Sequence, residues 1–197
     1  VQSCPDASPA EWHLAHTAWF IESFVLREFL PGYRLFNDDF PWLFNSYYEG
    51  FSAFPEKKLR ASFSRPGLDE ILRYREYVDQ GLKRLLDRML EADTDLAPPA
   101  QAEALRRIEL GVNHEEQHQE LLLTDILHAF FTNPLRPAYR SGEPQTGAPA
   151  SAVSGGVDFQ SFDGGLRPVG YAGSGFCLDN ELGRHQVWLD PYSLASS

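Results

Sequence analysis

The sequence has 197 residues, of which 43% are hydrophobic and 23% are charged, and its net charge is −11. This is the composition of a globular protein long enough for one domain and part of a second. The acidic balance argues against a nucleic-acid-binding surface, which would be basic. Two widely separated cysteines do not make a disulfide framework, which favours a reducing cytoplasm, and no apolar run is long enough to span a bilayer.

A first helix is predicted from Ser8–Glu11, where Ser8 can cap the helix and a proline takes the first helical position. The helix is expected to run to about Leu30. Aromatic residues recur along it at three- and four-residue spacing, which places His16 on a core-facing stripe. A single histidine on such a stripe is usually a hydrogen-bonded core residue. His13 lies one turn earlier and somewhat to the side.

The segment from residue 31 to about 65 is rich in aromatic residues and has no regular period. A loop of this length inside a compact domain is commonly functional. Most of its aromatic side chains are expected to cover the helices. The adjacent Tyr47 and Tyr48 cannot both face a core, so at least one phenol should reach a polar partner.

Two further helices are predicted, one from Leu68 to about Glu91 and one from the proline pair at 98–99 to about Phe131. The last of them carries His114 and His118. Residues four apart point the same way on a helix, so both imidazoles can bind one divalent metal. The alternative is a polar helix face that happens to carry two histidines.

Two imidazoles from one helix do not complete a metal site, so a third ligand is expected from the first helix, either His16 or His13. Three neutral imidazoles would suit Zn(II) for hydrolysis or Fe(II) for oxygen chemistry. The pair also matches the zincin pattern His-Glu-x-x-His, with Glu115 as general base, although no convincing third ligand follows it. Asp125 faces the side of His114 three turns later, as a capping carboxylate or a residue behind the ligands.

Residues 140–157 are rich in serine, glycine, alanine and proline and are predicted to be an interdomain linker. After them, short apolar runs alternate with glycines, which is typical of short strands joined by tight turns. These residues, 158–197, are interpreted as the beginning of a second domain.

Several segments of the sequence, taken in order, carry a family resemblance. They are Ser8–Thr17, Phe44–Glu49, His114–Ile126, Asn133–Tyr139 and Asp179–Leu189. The first four together resemble the ergothioneine-pathway sulfoxide synthases, and the fifth resembles the start of that family's C-terminal domain. The resemblance covers nearly the whole chain, and the combination is far more specific than any single segment.

The resemblance implies a mainly α fold. Residues 1–139 would form a DinB-like four-helix bundle that lacks the family's first helix. Residues 158–197 would begin an irregular α+β domain like the formylglycine-generating enzymes, also called sulfatase-modifying factors. We therefore expect the chain to be a fragment at both ends.

The resemblance also implies a mononuclear non-haem Fe(II) held by His16, His114 and His118, with His13 as a neighbour. The implied reaction of ergothioneine biosynthesis uses O2 to join a thiol, cysteine or γ-glutamylcysteine, to C2 of the hercynine imidazole as a sulfoxide. Because relatives complete the substrate pocket with their second domain, we expect this chain to bind iron but to turn over slowly or not at all.

Further roles follow for residues around that metal. Gln117 matches a glutamine that contacts the substrate imidazole in relatives. Tyr47 and Tyr48 match an active-site tyrosine pair, from which a phenol would supply a proton. The basic residues Lys57 and Arg60 can bind the carboxylate of the thiol substrate, or they can belong to a solvated loop.

Three hypotheses follow from the sequence. The first is an O2-dependent iron sulfoxide synthase or a piece of one. The second is a hydrolase or thiol transferase that uses zinc or another divalent metal on the same bundle, since a fold alone does not determine function. The third is a non-enzymatic helical module whose histidines are structural.

Overall fold

A computed structural model describes residues 1–46, 55–91, 95–140 and 157–196 of the chain. The chain divides into two compact units, Val1–Tyr139 and Arg140–Ser197. The first is largely helical, and the second contains short antiparallel strands. Within the described residues, no helix is both long enough and apolar enough to cross a membrane.

Three long helical elements make up most of the first unit. They are a first run comprising α1 (Ala10–Ile21), a π-helical segment (Glu22–Leu26) and α2 (Arg27–Phe29), then α4 (Leu68–Leu90) and α5 (Pro98–Thr132). Between the first run and α4 lie the short α3 (Phe40–Leu43) and a 3₁₀ helix (Lys57–Ser62). The ends of the long helices agree with the predicted ones to within two residues, because a sustained apolar period identifies a helix well.

The predicted serine cap of α1 is wrong. Pro9 is the capping residue, and no side chain caps this helix end. The Ser8 hydroxyl instead accepts a hydrogen bond from Arg60 Nη1 at 2.8 Å. The Ser8 backbone N–H donates to Asp125 Oδ2 at 2.8 Å. Tertiary partners have therefore taken the groups that a local cap would use.

The hydrophobic core of the first unit lies where α1 packs against both α4 and α5. Gly111 of α5 faces α1 closely, since a Cβ at this position would lie 2.5 Å from Ile21 Cδ1. The missing side chain lets the two helix backbones approach each other one turn before His114. The fully buried members of the core are Ala15, Trp19, Val25, Leu26, Tyr74 and Ala104.

Residues 157–196 of the second unit contain two antiparallel strand pairs. The strands are β1 (Asp158–Phe162), β2 (Gly165–Val169), β3 (His185–Leu189) and β4 (Tyr192–Ser196). The outer pair joins β1 to β4, and the inner pair joins β2 to β3. The short-strand prediction for this part of the sequence is confirmed. Glycine turns and alternating residues signalled it.

Candidate metal centre

Three histidines from two helices converge at one point of the helical unit. His16 comes from α1, and His114 and His118 come from α5. Each offers one ring nitrogen, and these three nitrogens all lie within 4.8 Å of one another. The ring centroids are 4.6 to 4.9 Å apart. The structure thus brings together the three residues that were predicted as ligands.

The ring of His16 is held at its Nδ1 atom and by two stacked indole rings. Its Nδ1 lies 2.6 Å from the backbone carbonyl oxygen of Phe44 and therefore carries the proton that bond requires. Trp12 stacks on the ring at a centroid distance of 4.4 Å, and Trp19 stacks on it at 5.2 Å. A neutral imidazole that donates through Nδ1 keeps its lone pair on Nε2, so His16 is prepared to act as a ligand through Nε2.

The ring of His118 contacts the ring of His13. The two Nδ1 atoms lie 2.9 Å apart. The other ring nitrogen of His13, Nε2, lies 3.0 Å from Asp125 Oδ2. His13 therefore stands behind His118, and Asp125 stands behind His13. The predicted position of Asp125 on the side of the histidines agrees with this arrangement.

The surroundings of the three histidines favour their neutral forms. Burial, followed by the neighbouring His114 and His118, lowers the pKa of His16 well below its usual value. Burial lowers the pKa of His114 to about 4 and that of His118 to about 3. Neutral imidazoles present lone pairs at pH 7, which is the form that binds a metal.

The His114 ring supplies a second test of whether a metal fits. Its Nδ1 is buried and has no hydrogen-bond partner among the described residues. A buried polar atom without a partner is costly in a folded protein and calls for an explanation such as an ion. Three neutral imidazoles with this orphaned nitrogen are a donor set that suits a divalent transition metal, zinc and iron alike.

A cavity of about 330 Å³ opens over the three histidines, and we refer to it as the histidine cavity. Its walls come from the segment before α1, from α1 and α5, and from the loop and 3₁₀ helix between them. The lining residues are Asp6, Ser8, Trp12, His13, His16, Ser46, Lys57, Arg60, His114, Gln117, His118, Leu121 and Asp125.

The structure places three predicted substrate-binding residues in this lining. Gln117 is exposed on α5, one residue before His118, and Lys57 is half-buried on the 3₁₀ helix. Arg60 is buried, with its guanidinium carbon 3.5 Å from the centroid of the Trp12 ring. It donates to Ser8 Oγ and, at 3.2 Å, to Ser46 Oγ. The alternative of a solvated loop is therefore wrong for Arg60.

The predicted catalytic residues have different outcomes. Tyr47 and Tyr48 lie outside the described residues, so their role stays a prediction. Glu115 does not line the histidine cavity, and its Oε1 accepts a hydrogen bond from Arg75 Nη2 at 2.9 Å. This position does not favour the zincin interpretation, in which Glu115 would act beside the metal.

Sequence reasoning did not assign Trp12 and Ser46 to the site. The four-residue spacing did place Trp12 on the same helix face as His16, and this could have assigned it to the site as well. Ser46 follows the aromatic segment, and no local pattern links it to Arg60. Its place in the lining depends on how the loop folds back over α1.

Comparison with known proteins adds the family. A family model described as the DinB superfamily matches residues 1–122, which include all three converging histidines. No curated protein matches the chain significantly. The match covers more than half of the 197 residues. The chain therefore belongs to the DinB superfamily.

Proposed function

We propose that His16, His114 and His118 bind one Fe(II) and that the protein is an O2-dependent sulfoxide synthase of the ergothioneine type. The observation that carries this proposal is the convergence of one buried and two largely buried imidazoles in one cavity that also holds two cationic side chains. The order of the four resembling segments supports the same reaction class.

The proposed reaction joins a thiol sulfur to C2 of the hercynine imidazole. The thiol S–H and the imidazole C–H are broken, a C–S bond forms, and the sulfur gains one oxygen atom. The second oxygen atom of O2 leaves as water with the two hydrogens, so atoms and electrons balance. A bound Fe(II) supplies the redox chemistry that lets O2 react beside a thiolate.

The described residues have distinct tasks in this proposal. Arg60 and Lys57 bind the carboxylate of the thiol substrate, cysteine or γ-glutamylcysteine, from one wall of the cavity. Gln117, on α5, hydrogen-bonds the imidazole of hercynine and orients its C2 atom toward the sulfur. Outside the described residues, a phenol of the Tyr47 and Tyr48 pair supplies a proton for the reaction with O2.

The trimethylammonium group of hercynine also needs a place. Trp12 lines the cavity, but His16 covers one region of its π surface and Arg60 lies over the ring as well. The described lining therefore offers no open aromatic cage for a quaternary ammonium.

The finer architecture belongs to the same proposal. Residues 1–139 correspond to the DinB-like bundle of the sulfoxide synthases, and residues 158–197 begin a domain like the formylglycine-generating enzymes. Residues 140–157 link the two. The unit boundary after Tyr139 supports this division.

Metal analysis tests the proposed centre. We expect about one equivalent of Fe(II) per chain after anaerobic loading, and a loss of at least about tenfold in affinity in His16→Ala, His114→Ala or His118→Ala, since each removes a ligand. His128→Ala is the matched control, because His128 lies on α5 but does not line the cavity. Undiminished binding in a variant removes that residue from the ligand set.

Product analysis tests the reaction. The iron-loaded full chain is supplied with O2, hercynine and either cysteine or γ-glutamylcysteine, and the mixture is analysed by mass spectrometry. A product with the mass of the cysteinyl or γ-glutamylcysteinyl sulfoxide supports the proposal. Selective retention of zinc, with hydrolysis or thiol transfer and no sulfoxide, would replace it by the zinc-dependent alternative.

A further inference from the structure

We propose that His13 and Asp125 are positioning residues that hold His118 in the tautomer protonated on Nδ1, so that its Nε2 lone pair faces the metal. This inference rests on the proposed metal centre and deepens it. The chain of contacts runs from Asp125 through His13 to His118, and each step restricts the position of one proton.

The first restriction comes from Asp125. Its Oδ2 accepts the backbone N–H of Ser8 at 2.8 Å, and this N–H can only donate. The same oxygen lies 3.0 Å from Nε2 of His13. A carboxylate oxygen accepts hydrogen bonds, so His13 must carry its proton on Nε2 to make this contact.

The second restriction comes from His13. A neutral imidazole has one N–H, and in His13 that N–H is directed at Asp125. The ring is 4% exposed. The Asp125 carboxylate beside Nε2 favours a second proton, whereas burial and the cations of Arg60 and Lys57 in the same cavity disfavour it, and burial has the largest effect on the pKa of His13, which is lowered. The Nδ1 of His13 is therefore an acceptor.

The third restriction follows for His118. Its Nδ1 lies 2.9 Å from Nδ1 of His13, and two acceptors do not attract each other at this distance. His118 must therefore donate through Nδ1, which leaves Nε2 deprotonated. His16 reaches the same state by a shorter route, through the Phe44 carbonyl. Two of the three ligands thus have their tautomer set from behind.

The tautomer can be observed directly in the 197-residue chain labelled with ¹⁵N-histidine. Long-range ¹H–¹⁵N correlation spectra are expected to show His118 protonated on Nδ1 in the metal-free protein and bound through Nε2 after addition of Zn(II). A metal-free His118 protonated on Nε2 overturns the proposal. If His118 shows the expected tautomer but the protein binds neither Zn(II) nor Fe(II), the metal centre is overturned, while the contacts from Asp125 through His13 to His118 are confirmed.

Two variants distinguish the effect of the hydrogen-bond acceptor at position 13 from the effect of the packing of its ring. His13→Asn keeps an oxygen acceptor near the place of Nδ1, whereas His13→Phe keeps the ring without an acceptor. We expect His13→Phe to weaken Zn(II) binding by about 10- to 100-fold and to populate both His118 tautomers. His13→Asn should stay much nearer to the unmodified protein in both measurements.

The matched controls are His128→Asn and His128→Phe, which change a histidine on α5 outside the cavity and should leave Zn(II) affinity unchanged. Equal losses of affinity in His13→Asn and His13→Phe, with one His118 tautomer in both, would show that only packing matters and would overturn the proposal. If His13→Phe does not fold, the tautomer of the unmodified chain and the binding by His13→Asn still decide the question.

Discussion

At the scale of single residues, Glu22 stands out because its carboxylate has no exposed surface and lies in the core. The π-helical segment begins at this residue. Oε1 accepts the Tyr33 hydroxyl at 2.8 Å and the Phe36 N–H at 3.0 Å, and Oε2 accepts the Tyr74 hydroxyl at 2.7 Å. These donors replace water and connect the first helical run to α4.

The Tyr74 hydroxyl is expected to contribute strongly to stability. We predict that Tyr74→Phe lowers the free energy of unfolding by about 1.5–3 kcal/mol, because it removes a buried donor to a carboxylate. Tyr77→Phe is the matched control on the same helix, since its hydroxyl donates to the Arg34 carbonyl at an exposed position, and should cost about 0.5–1 kcal/mol. Urea unfolding followed by circular dichroism measures both, and equal losses would contradict the assignment.

The same contact predicts how stability changes at alkaline pH. Burial and the charge of Glu22 raise the pKa of Tyr74 well above its usual value. The unfolded chain loses the Tyr74 phenol proton near pH 10, whereas the folded chain keeps it. The contribution of Tyr74 to the free energy of unfolding is therefore fully present below pH 10 and falls as the pH rises, by at most about 1.4 kcal/mol per pH unit.

Unfolding free energies at pH 9, 10 and 11 measure this effect. The unmodified protein should lose more stability over this range than Tyr74→Phe, which has no phenol to ionise at this site. Parallel pH profiles for the two proteins would show that Tyr74 has the same pKa in the folded and the unfolded chain, which would contradict the prediction.

At the scale of elements, the two long helices α4 and α5 could be predicted because their apolar period is sustained. The π-helical segment could not, because no residue in Glu22–Leu26 marks the change of hydrogen-bond pattern. The Ser8 cap failed because Arg60 and Asp125, both distant in sequence, occupy the groups involved.

His114 and His118 could be predicted as ligands because their four-residue spacing and the family resemblance of the segment around them are both visible in the sequence. The burial of Arg60 over Trp12 was not predictable, since it depends on the path of the loop between α1 and α4. The contact between His13 and His118 was likewise not predictable from the sequence, because it depends on how α1 packs on α5.

Arg75 of α4 links three helices beside the metal centre. It donates to the Leu14 carbonyl at 2.7 Å and to Thr17 Oγ1 at 2.8 Å, both on α1, in addition to Glu115 of α5. Glu115 is therefore interpreted as a partner of Arg75 that sets the spacing of the helices. This differs from the general-base role of the zincin pattern.

We predict that Glu115→Gln leaves the metal content unchanged and lowers the free energy of unfolding by less than about 1 kcal/mol, because the ion pair is partly exposed. Any turnover detected for the iron-loaded chain should stay within about threefold, and Glu116→Gln is the control on the neighbouring exposed position. A loss of about 10²- to 10⁴-fold in rate would be the mark of a general base.

At the scale of the whole molecule, the metal centre and the hydrophobic core belong to one unit. The three converging histidines and every member of the core cluster lie before Tyr139. The residues of the candidate metal centre and of this core therefore all come from the first unit.

We predict that a chain ending at Tyr139 unfolds cooperatively and binds Fe(II) with the stoichiometry of the full chain, since it keeps the core and all three ligands. Calorimetry and metal analysis of the two chains make the comparison. Loss of metal by the shortened chain, together with retained cooperative unfolding, would show that a ligand or a supporting contact lies in Arg140–Ser197.

The sandwich of His16 between Trp12 and Trp19 has an optical consequence. Both indoles are buried, whereas Trp42 and Trp188 are 43% and 67% exposed, so the first two should emit at shorter wavelengths. An open-shell ion on the His16 imidazole would lie within quenching range of both stacked indoles. The short-wavelength edge of the intrinsic fluorescence is thus a built-in signal for occupation of the cavity, readable without a label.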